Sequence, residues 1–260
     1  MYPEIFSIPS YYVMITAGVF FAVLAFRLIC SKLQVNDGVY HFYSIDIVIS
    51  IAVGFGGAML FQSLYDFIKT GVFVWRGLTF MGGLVSGAVC FILIALLSRK
   101  KKIIGSLLAI CEIAIPCLVL AHAFGRVGCF LSGCCHGVDS EFGLYFPVLN
   151  RTVIPTQLYE FIFLFILSAV LFYFTFSRKI TGFNLSIYSL CYGIFRFVIE
   201  FFRGDERGAF ISGISPSQFW SILLIITGVA LIILRKLKPH IFDFPSAEQA
   251  TNQTTTEQNT

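Results

Sequence analysis

The segment CYGIFRFVIEFFRGDERG, Cys191 to Gly208, sets Tyr192, Arg196, Glu200 and Arg203 at intervals of four, four and three residues, which stacks them on one helical face. The rest of that helix is Phe, Val and Ile. Two guanidiniums around one carboxylate leave a net positive charge that suits a bound anion, phosphate first among them. The competing reading is a self-neutralising stripe that only lets the helix pack. A third guanidinium, Arg126, stands in HAFGRVGCFLSGCCHG, His122 to Gly137, whose glycines, Gly128 and Gly133 among them, leave backbone amides bare enough to cradle an anionic headgroup. The same segment holds Cys129, Cys134, Cys135 and His136. Their spacing is not that of a zinc motif, and adjacent cysteines ligate one ion poorly. Small-residue packing or a disulfide is therefore preferred, and no metal site is expected. In IPTQLYEFIF from Ile154, Gln157 is a candidate substrate contact. Glu160 reads equally well as a functional acid and as one favoured by the start of a helix.

Those side chains need elements to carry them, and composition says what the elements are. The 260 residues are 57% hydrophobic and 12% charged, with mean hydropathy +0.86. That is more apolar surface than a water-soluble domain can hide, and it excludes disordered and nucleic-acid-binding classes. Apolar runs at about 11–30, 44–68, 77–98, 103–131, 155–177, 183–202 and 216–234 predict an all-α integral membrane protein with seven transmembrane helices. Pro116 predicts a kink or break in the fourth. Pro155 heads the fifth, and Ser215 before Pro216 signals the start of the seventh. Gly82, Gly83 and Gly87 give the third a small-residue packing face. Within the apolar runs Asp46 and Glu112 are further charges that need a partner or a function, whereas Cys30, Cys90, Cys111, Cys117 and Cys191 read as buried hydrophobes.

Cations set the orientation. With the N-terminus outside, the inner loops hold Arg27, Lys32, Arg99, Lys100, Lys101, Lys102, Arg178, Lys179, Arg235, Lys236 and Lys238, eleven of eighteen. The outer side holds Lys69, Arg76, Arg151, Arg203 and Arg207. The expected topology is N-out, C-in, with residues 1–240 as the transmembrane domain, an external loop over 132–154, and a disordered cytoplasmic tail over 241–260. The first helix has no basic stretch before it and no cleavage site after it, so it is read as a retained span. No internal repeat is evident, which weighs against inverted-repeat transporters.

Four blocks, GLTFMGGLVSG from Gly77, GRVGCFLSGCCHG from Gly125, IPTQLYE from Ile154 and YGIFRFVIEFFRGD from Tyr192, with SPSQFWSIL from Ser215 as a weaker fifth, resemble the prolipoprotein diacylglyceryl transferase family. The resemblance implies a multi-pass enzyme of the bacterial cytoplasmic (inner) membrane. It would move the diacylglyceryl group of phosphatidylglycerol to the lipobox cysteine thiol of a prolipoprotein signal peptide, releasing glycerol phosphate, with no metal or organic cofactor. It gives Arg126, Arg196, Glu200 and Tyr192 catalytic parts: the arginines stabilise the leaving phosphate, Glu200 orients Arg196 and is a possible acceptor of the thiol proton, and Tyr192 donates a hydrogen bond. Arg203, Gly128, Gly133, Gln157, Glu160 and His136 fall to substrate binding, Arg203 guiding the headgroup. Its partners are phosphatidylglycerol, prolipoproteins and membrane lipids, with no nucleic acid.

The chain departs from the family pattern where Met81 and Ile154 stand at its histidine positions. Cys129, Ser132, Gly133 and Cys134 likewise stand where the family has Asn and Asn-Gly-Glu. His122 or His136 would then have to replace the missing imidazoles. Two rival readings stay open: a catalytically altered relative that binds lipid or lipoprotein, and a lipid or anion transporter.

Overall fold

The computed structural model describes residues 3–75, 77, 79–98, 106–177, 182–204 and 213–242. Among them seven α-helices follow one another: α1 (Ser10–Lys32), α2 (Asp37–Thr70), α3 (Phe80–Leu97), α4 (Leu107–Ser132), α5 (Thr156–Ser177), α6 (Asn184–Ile199) and α7 (Pro216–Leu237). Six are long and apolar enough to cross a membrane, and α3 is a shorter apolar helix. Its 18 residues still span about 27 Å, close to a hydrocarbon core. Every helix leaves large apolar side chains exposed, among them Phe20, Ile45, Leu93, Leu118, Ile166, Ile194 and Ile233. In water these would be a liability; in lipid they are the solvated face. This is a multi-pass membrane protein.

The described residues divide into two compact units, 3–33 with 108–242, and 34–107. In the second, α2 starts seven residues earlier than hydropathy indicates, because Asn36 caps it by accepting from the Gly38 amide at 2.8 Å. The glycines of α3 do pack: a side chain on Gly83 would meet Gly54 and Ala58 of α2, and one on Gly87 would meet the Ser50 carbonyl. Asp46 is buried on α2 and accepts from Ser50 at 3.2 Å.

The first unit has its core between α4, α5 and α6, built from Ile115, Val119, Ala123, Leu164, Leu167, Leu171 and Tyr192. Of the expected kink or break at Pro116, there is no break: helix α4 runs continuously from Leu107 to Ser132. Proline at 116 has no N–H for the carbonyl of residue 112, four back, and a buried unpaired carbonyl costs about 1–3 kcal/mol. Asn184 supplies the missing donor, its Nδ2 reaching the Glu112 carbonyl at 3.1 Å. The Glu112 side chain in turn accepts from the first amides of α6, Asn184 N at 2.6 Å and Leu185 N at 3.2 Å. Glu112 is thus a helix cap contributed by another helix. Of the cysteines expected to be buried, Cys30 and Cys117 are, Cys90 and Cys111 are half-buried, and Cys191 is exposed.

Short strands at the helix ends are the features hydropathy does not reveal. Strands β1 (Glu4–Ile5) and β2 (Ile8–Pro9) pair ahead of α1, and β3 (Asp139–Phe146) and β4 (Arg151–Val153) form an antiparallel hairpin in the long α4–α5 connection. After α6 a 3-10 turn, Glu200–Phe202, leads to an antiparallel bridge between Arg203 and Gly137. Alternating helix direction and these connections bring the start of α1, the end of α4, the start of α5, the end of α6 and the start of α7 to one end of this unit. Ser10 to Ser132 at 3.2 Å is one of the cross-links. Of the expected tail over 241–260, Ile241 and Phe242 belong to a 3-10 turn, Pro239–Phe242, in which Phe242 is buried; residues 243–260 and the cations Arg76, Arg99, Lys100, Lys101, Lys102, Arg178, Lys179 and Arg207 lie outside the described residues.

Candidate active site

Glu160, fully buried in the second turn of α5, is the centre of the assembly. Arg126 of α4 brings Nε to 3.1 Å from its Oε1, and Tyr192 of α6 donates its hydroxyl to the same oxygen at 2.7 Å. His122, one turn before Arg126, has Nε2 3.9 Å from Oε1 and its ring edge-on to Tyr192. Three residues from two helices therefore converge on one carboxylate of a third. The bland account, an acid sitting at a helix start, does not describe a group with no solvent exposure and an arginine against it. Tyr192 points across to α5 and does not join the Arg196 stripe of its own helix.

The second cluster is that stripe. Arg196 is 7% exposed and sets Nη2 2.7 Å from Glu200 Oε2, and Arg203 Nε is 3.9 Å from the same oxygen. The start of α7 closes it. Ser217 accepts from Arg196 Nη2 at 2.8 Å, and Ser215, the N-cap, donates to Glu200 Oε1 at 2.8 Å. Ser215 and Gln218 also form a reciprocal capping box beside Pro216, so local helix-start chemistry fixes the hydroxyls that hold Glu200 and Arg196. The Arg203 side chain is only 3% exposed. The side chain is packed between Glu200 and Cys135.

Several atoms of the two clusters keep hydrogen-bonding capacity. Arg196 Nη1, Arg126 Nε, His122 Nε2, Glu160 Oε2 and Gln157 Oε1 are buried with no hydrogen bond among the described residues. Arg126 thus meets Glu160 as a charge, with the geometry of a hydrogen bond unmet. Buried polar atoms usually find a partner, so each of these has capacity for a further hydrogen bond.

The turn after α4 ties these helices together. Gly133, at φ 72°, closes α4 with two backbone bonds, Cys134 N to Cys129 O at 3.1 Å and Gly133 N to Phe130 O at 3.2 Å. This glycine-closed end brings the third-last helical residue and the second residue beyond the cap together, here Cys129 and Cys134. Cys135 follows at φ 63°, a left-handed conformation costing an ordinary residue roughly 1 kcal/mol. Gln157 Nε2 donates to the Cys134 carbonyl at 2.6 Å and Thr156 Oγ1 to that of Cys135 at 3.0 Å. Half of Gln157 is therefore spent on positioning this turn. Gly137 admits no side chain, since a Cβ would lie 2.5 Å from the Phe202 carbonyl. Gly128 packs on α1 against Tyr11 and Met14.

His136 puts Nδ1 2.9 Å from the Gly137 carbonyl, away from the Glu160 cluster, so of the two replacement imidazoles only His122 joins it. The Cys129, Cys134 and Cys135 sulfurs lie within 4.8 Å of one another as free thiols. Hydrogen bonds from Cys129 and Cys134, with Arg203 alongside, hold the Cys135 thiol below its ordinary range. Ile154 precedes α5, and the side chain of Met81 is outside the described part.

Site and fold together define a polytopic membrane protein with two buried arginine–glutamate centres at one end of its helices. The family model described as prolipoprotein diacylglyceryl transferase matches residues 3–234, and the chain belongs to that family. Among similar curated proteins, the phosphatidylglycerol--prolipoprotein diacylglyceryl transferase of Clostridium tetani is 31% identical over 235 residues, covering 86% of this chain and 91% of that protein. A second enzyme of that name from Clostridium perfringens is 37% identical over 170 residues, which is 63% of this chain and 64%, just under two thirds, of that relative. The protein of that name from Chlorobaculum tepidum is 32% identical over 169 residues, 62% of this chain and 56% of its own length.

Proposed function

We propose that this chain transfers the diacylglyceryl group of phosphatidylglycerol to the lipobox cysteine of prolipoproteins. The observation that carries the reading is the pair of buried arginines, Arg126 on Glu160 and Arg196 on Glu200, each oriented by a carboxylate, with Arg196 Nη1 left without a hydrogen bond. The substrate sulfur attacks the glyceryl carbon that bears the phosphate. The carbon–oxygen bond breaks, and the electron pair leaves with glycerol phosphate. Negative charge gathers on that oxygen, and preorganised guanidiniums in a water-poor site stabilise it by about 3 kcal/mol each. Tyr192 and Glu160 hold Arg126, and Ser217 with Glu200 holds Arg196. His122 is the imidazole beside this centre and receives the thiol proton in our reading, taking the place of the histidines replaced by Met81 and Ile154.

The site then opens on the outer face of a bacterial cytoplasmic membrane, with the N-terminus outside, residues 1–240 as the catalytic domain and 241–260 as a cytoplasmic tail. Eleven of eighteen cations on the inner loops support this orientation.

The test uses purified protein in detergent, phosphatidylglycerol, and a fluorescent peptide bearing a lipobox cysteine, with a serine peptide as control. A thioether-linked diacylglyceryl product that requires the cysteine and falls at least a hundredfold in Arg196→Ala and in Arg126→Ala is expected. Near-normal turnover by either variant would remove that arginine from the mechanism. No product from protein that still binds phosphatidylglycerol would make it an altered, non-transferring relative.

A further inference from the structure

We infer that Cys129, Cys134 and Cys135 form a three-thiolate binding site for one soft divalent metal ion of the zinc class. The sulfurs come from a buried residue in the last turn of α4, an exposed residue just past its cap and a half-buried neighbour, yet they lie within 4.8 Å of one another. Around a zinc ion with bonds of about 2.3 Å, neighbouring thiolates sit about 3.8 Å apart, so small side-chain rotations complete the site. Two features of the fold create this proximity. The glycine-closed end of α4 sets Cys134 back over Cys129, as the backbone bond between them records. The left-handed backbone at Cys135, unusual for a residue with a side chain, turns the third sulfur to the same point.

Sequence spacing alone argues against metal because adjacent cysteines usually diverge; this turn makes them converge. A disulfide needs two sulfurs and would strand the third, whereas a metal uses all three. Charge agrees. Three thiolates around a divalent ion carry one net negative charge, and Arg203, hydrogen-bonded to Cys135, lies against them to balance it. Binding removes the weak contact from Cys134 Sγ to the Cys129 carbonyl at 3.6 Å. Four-coordinate zinc would retain one position for water. The turn is pinned by Gln157 and Thr156 to the start of α5 and by the Gly137 bridge to Arg203, so an ion here would clamp the ends of three helices.

The site is tested on full-length protein, reduced and freed of reductant without air, with cadmium as the spectroscopic probe and zinc measured by competition with a chromophoric chelator. One equivalent of zinc, and a cadmium–thiolate absorption band of three-sulfur intensity, are expected. Cys134→Ser, which changes an exposed side chain, is expected to weaken zinc at least ~tenfold, and the triple Cys→Ser variant to abolish both signals. Cys191→Ser, also exposed and outside the cluster, is expected to leave both unchanged. Zinc bound equally by wild type and Cys134→Ser would overturn the site. So would a Cys129 disulfide to either neighbour, found by mass spectrometry in protein isolated under the same air-free conditions, together with no metal uptake after its reduction.

Discussion

At the residue scale the decisive side chain is Glu160. A carboxylate with no exposure, shared by Arg126 and Tyr192, contributes through what it holds in place. Glu160→Gln keeps the shape but removes the charge, leaving the Arg126 guanidinium buried without its counter-ion. Breaking a buried pair in this way costs about 3–5 kcal/mol, so a large fall in thermal stability in detergent is expected together with loss of transfer. Tyr192→Phe deletes one hydrogen bond, costing about 1 kcal/mol, and should leave a folded protein with reduced activity. A Tyr192→Phe loss of stability as large as that of Glu160→Gln would contradict the ranking. Charged groups in apolar runs are conspicuous, which singles out Arg126, Glu160, Arg196 and Glu200, and helical spacing adds Tyr192 and Arg203. The sequence could not pair Tyr192 with Glu160 or recruit His122, because those partners come from other helices. Nor could it bury Arg203, whose surroundings are made by the turn after α4. Ser217 was legible only as part of a helix start, although a hydroxyl one residue into α7 was a signal that it faced whatever that start touched.

Among the elements, α4 shows how a sequence irregularity is absorbed. Pro116 deprives the Glu112 carbonyl of its donor, and Asn184 of α6 supplies one, so the helix continues without the break that is one of the two outcomes the sequence offers. The account makes a coupling prediction. Asn184→Ala should cost about 1–3 kcal/mol in wild type, whereas in a Pro116→Ala background the restored N–H serves that carbonyl and the same change should cost less. The bond from Asn184 to Thr175 at 2.7 Å is lost in both backgrounds and leaves a common residual. Equal costs in the two backgrounds, measured by thermal or denaturant unfolding in detergent, would refute the compensation. Helix positions themselves were largely readable from hydropathy, to within a few residues for six of the seven. The early start of α2 was not, because capping by Asn36 and not apolar content decides it. The β3–β4 hairpin was missed for a related reason: eight residues of mixed character in a long connection become a strand only when Arg151–Val153 is there to pair with them.

For the whole molecule, the question is which side the assembled helix ends face. Arg126, Glu160, Arg196, Glu200 and the cysteine turn all lie at the end where α4 and α6 finish and α5 and α7 begin. The opposite ends of α1 and α7 carry Arg27, Lys32, Arg235, Lys236 and Lys238. Lysine and arginine resist translocation, so on the proposed orientation the cation-rich ends stay in the cytoplasm and the site faces outward. That is also the side on which an exported signal peptide emerges and its cysteine becomes available. An epitope tag after Thr260 should therefore resist protease in intact spheroplasts and be destroyed once they are lysed. A protease site inserted at the β3–β4 turn, between Phe146 and Arg151, should be cut in intact spheroplasts. Cleavage of the tag in sealed cells with protection of the hairpin would invert the molecule. It would put the arginine centres on the side that holds the wrong end of the substrate, and the transfer reading could not survive it.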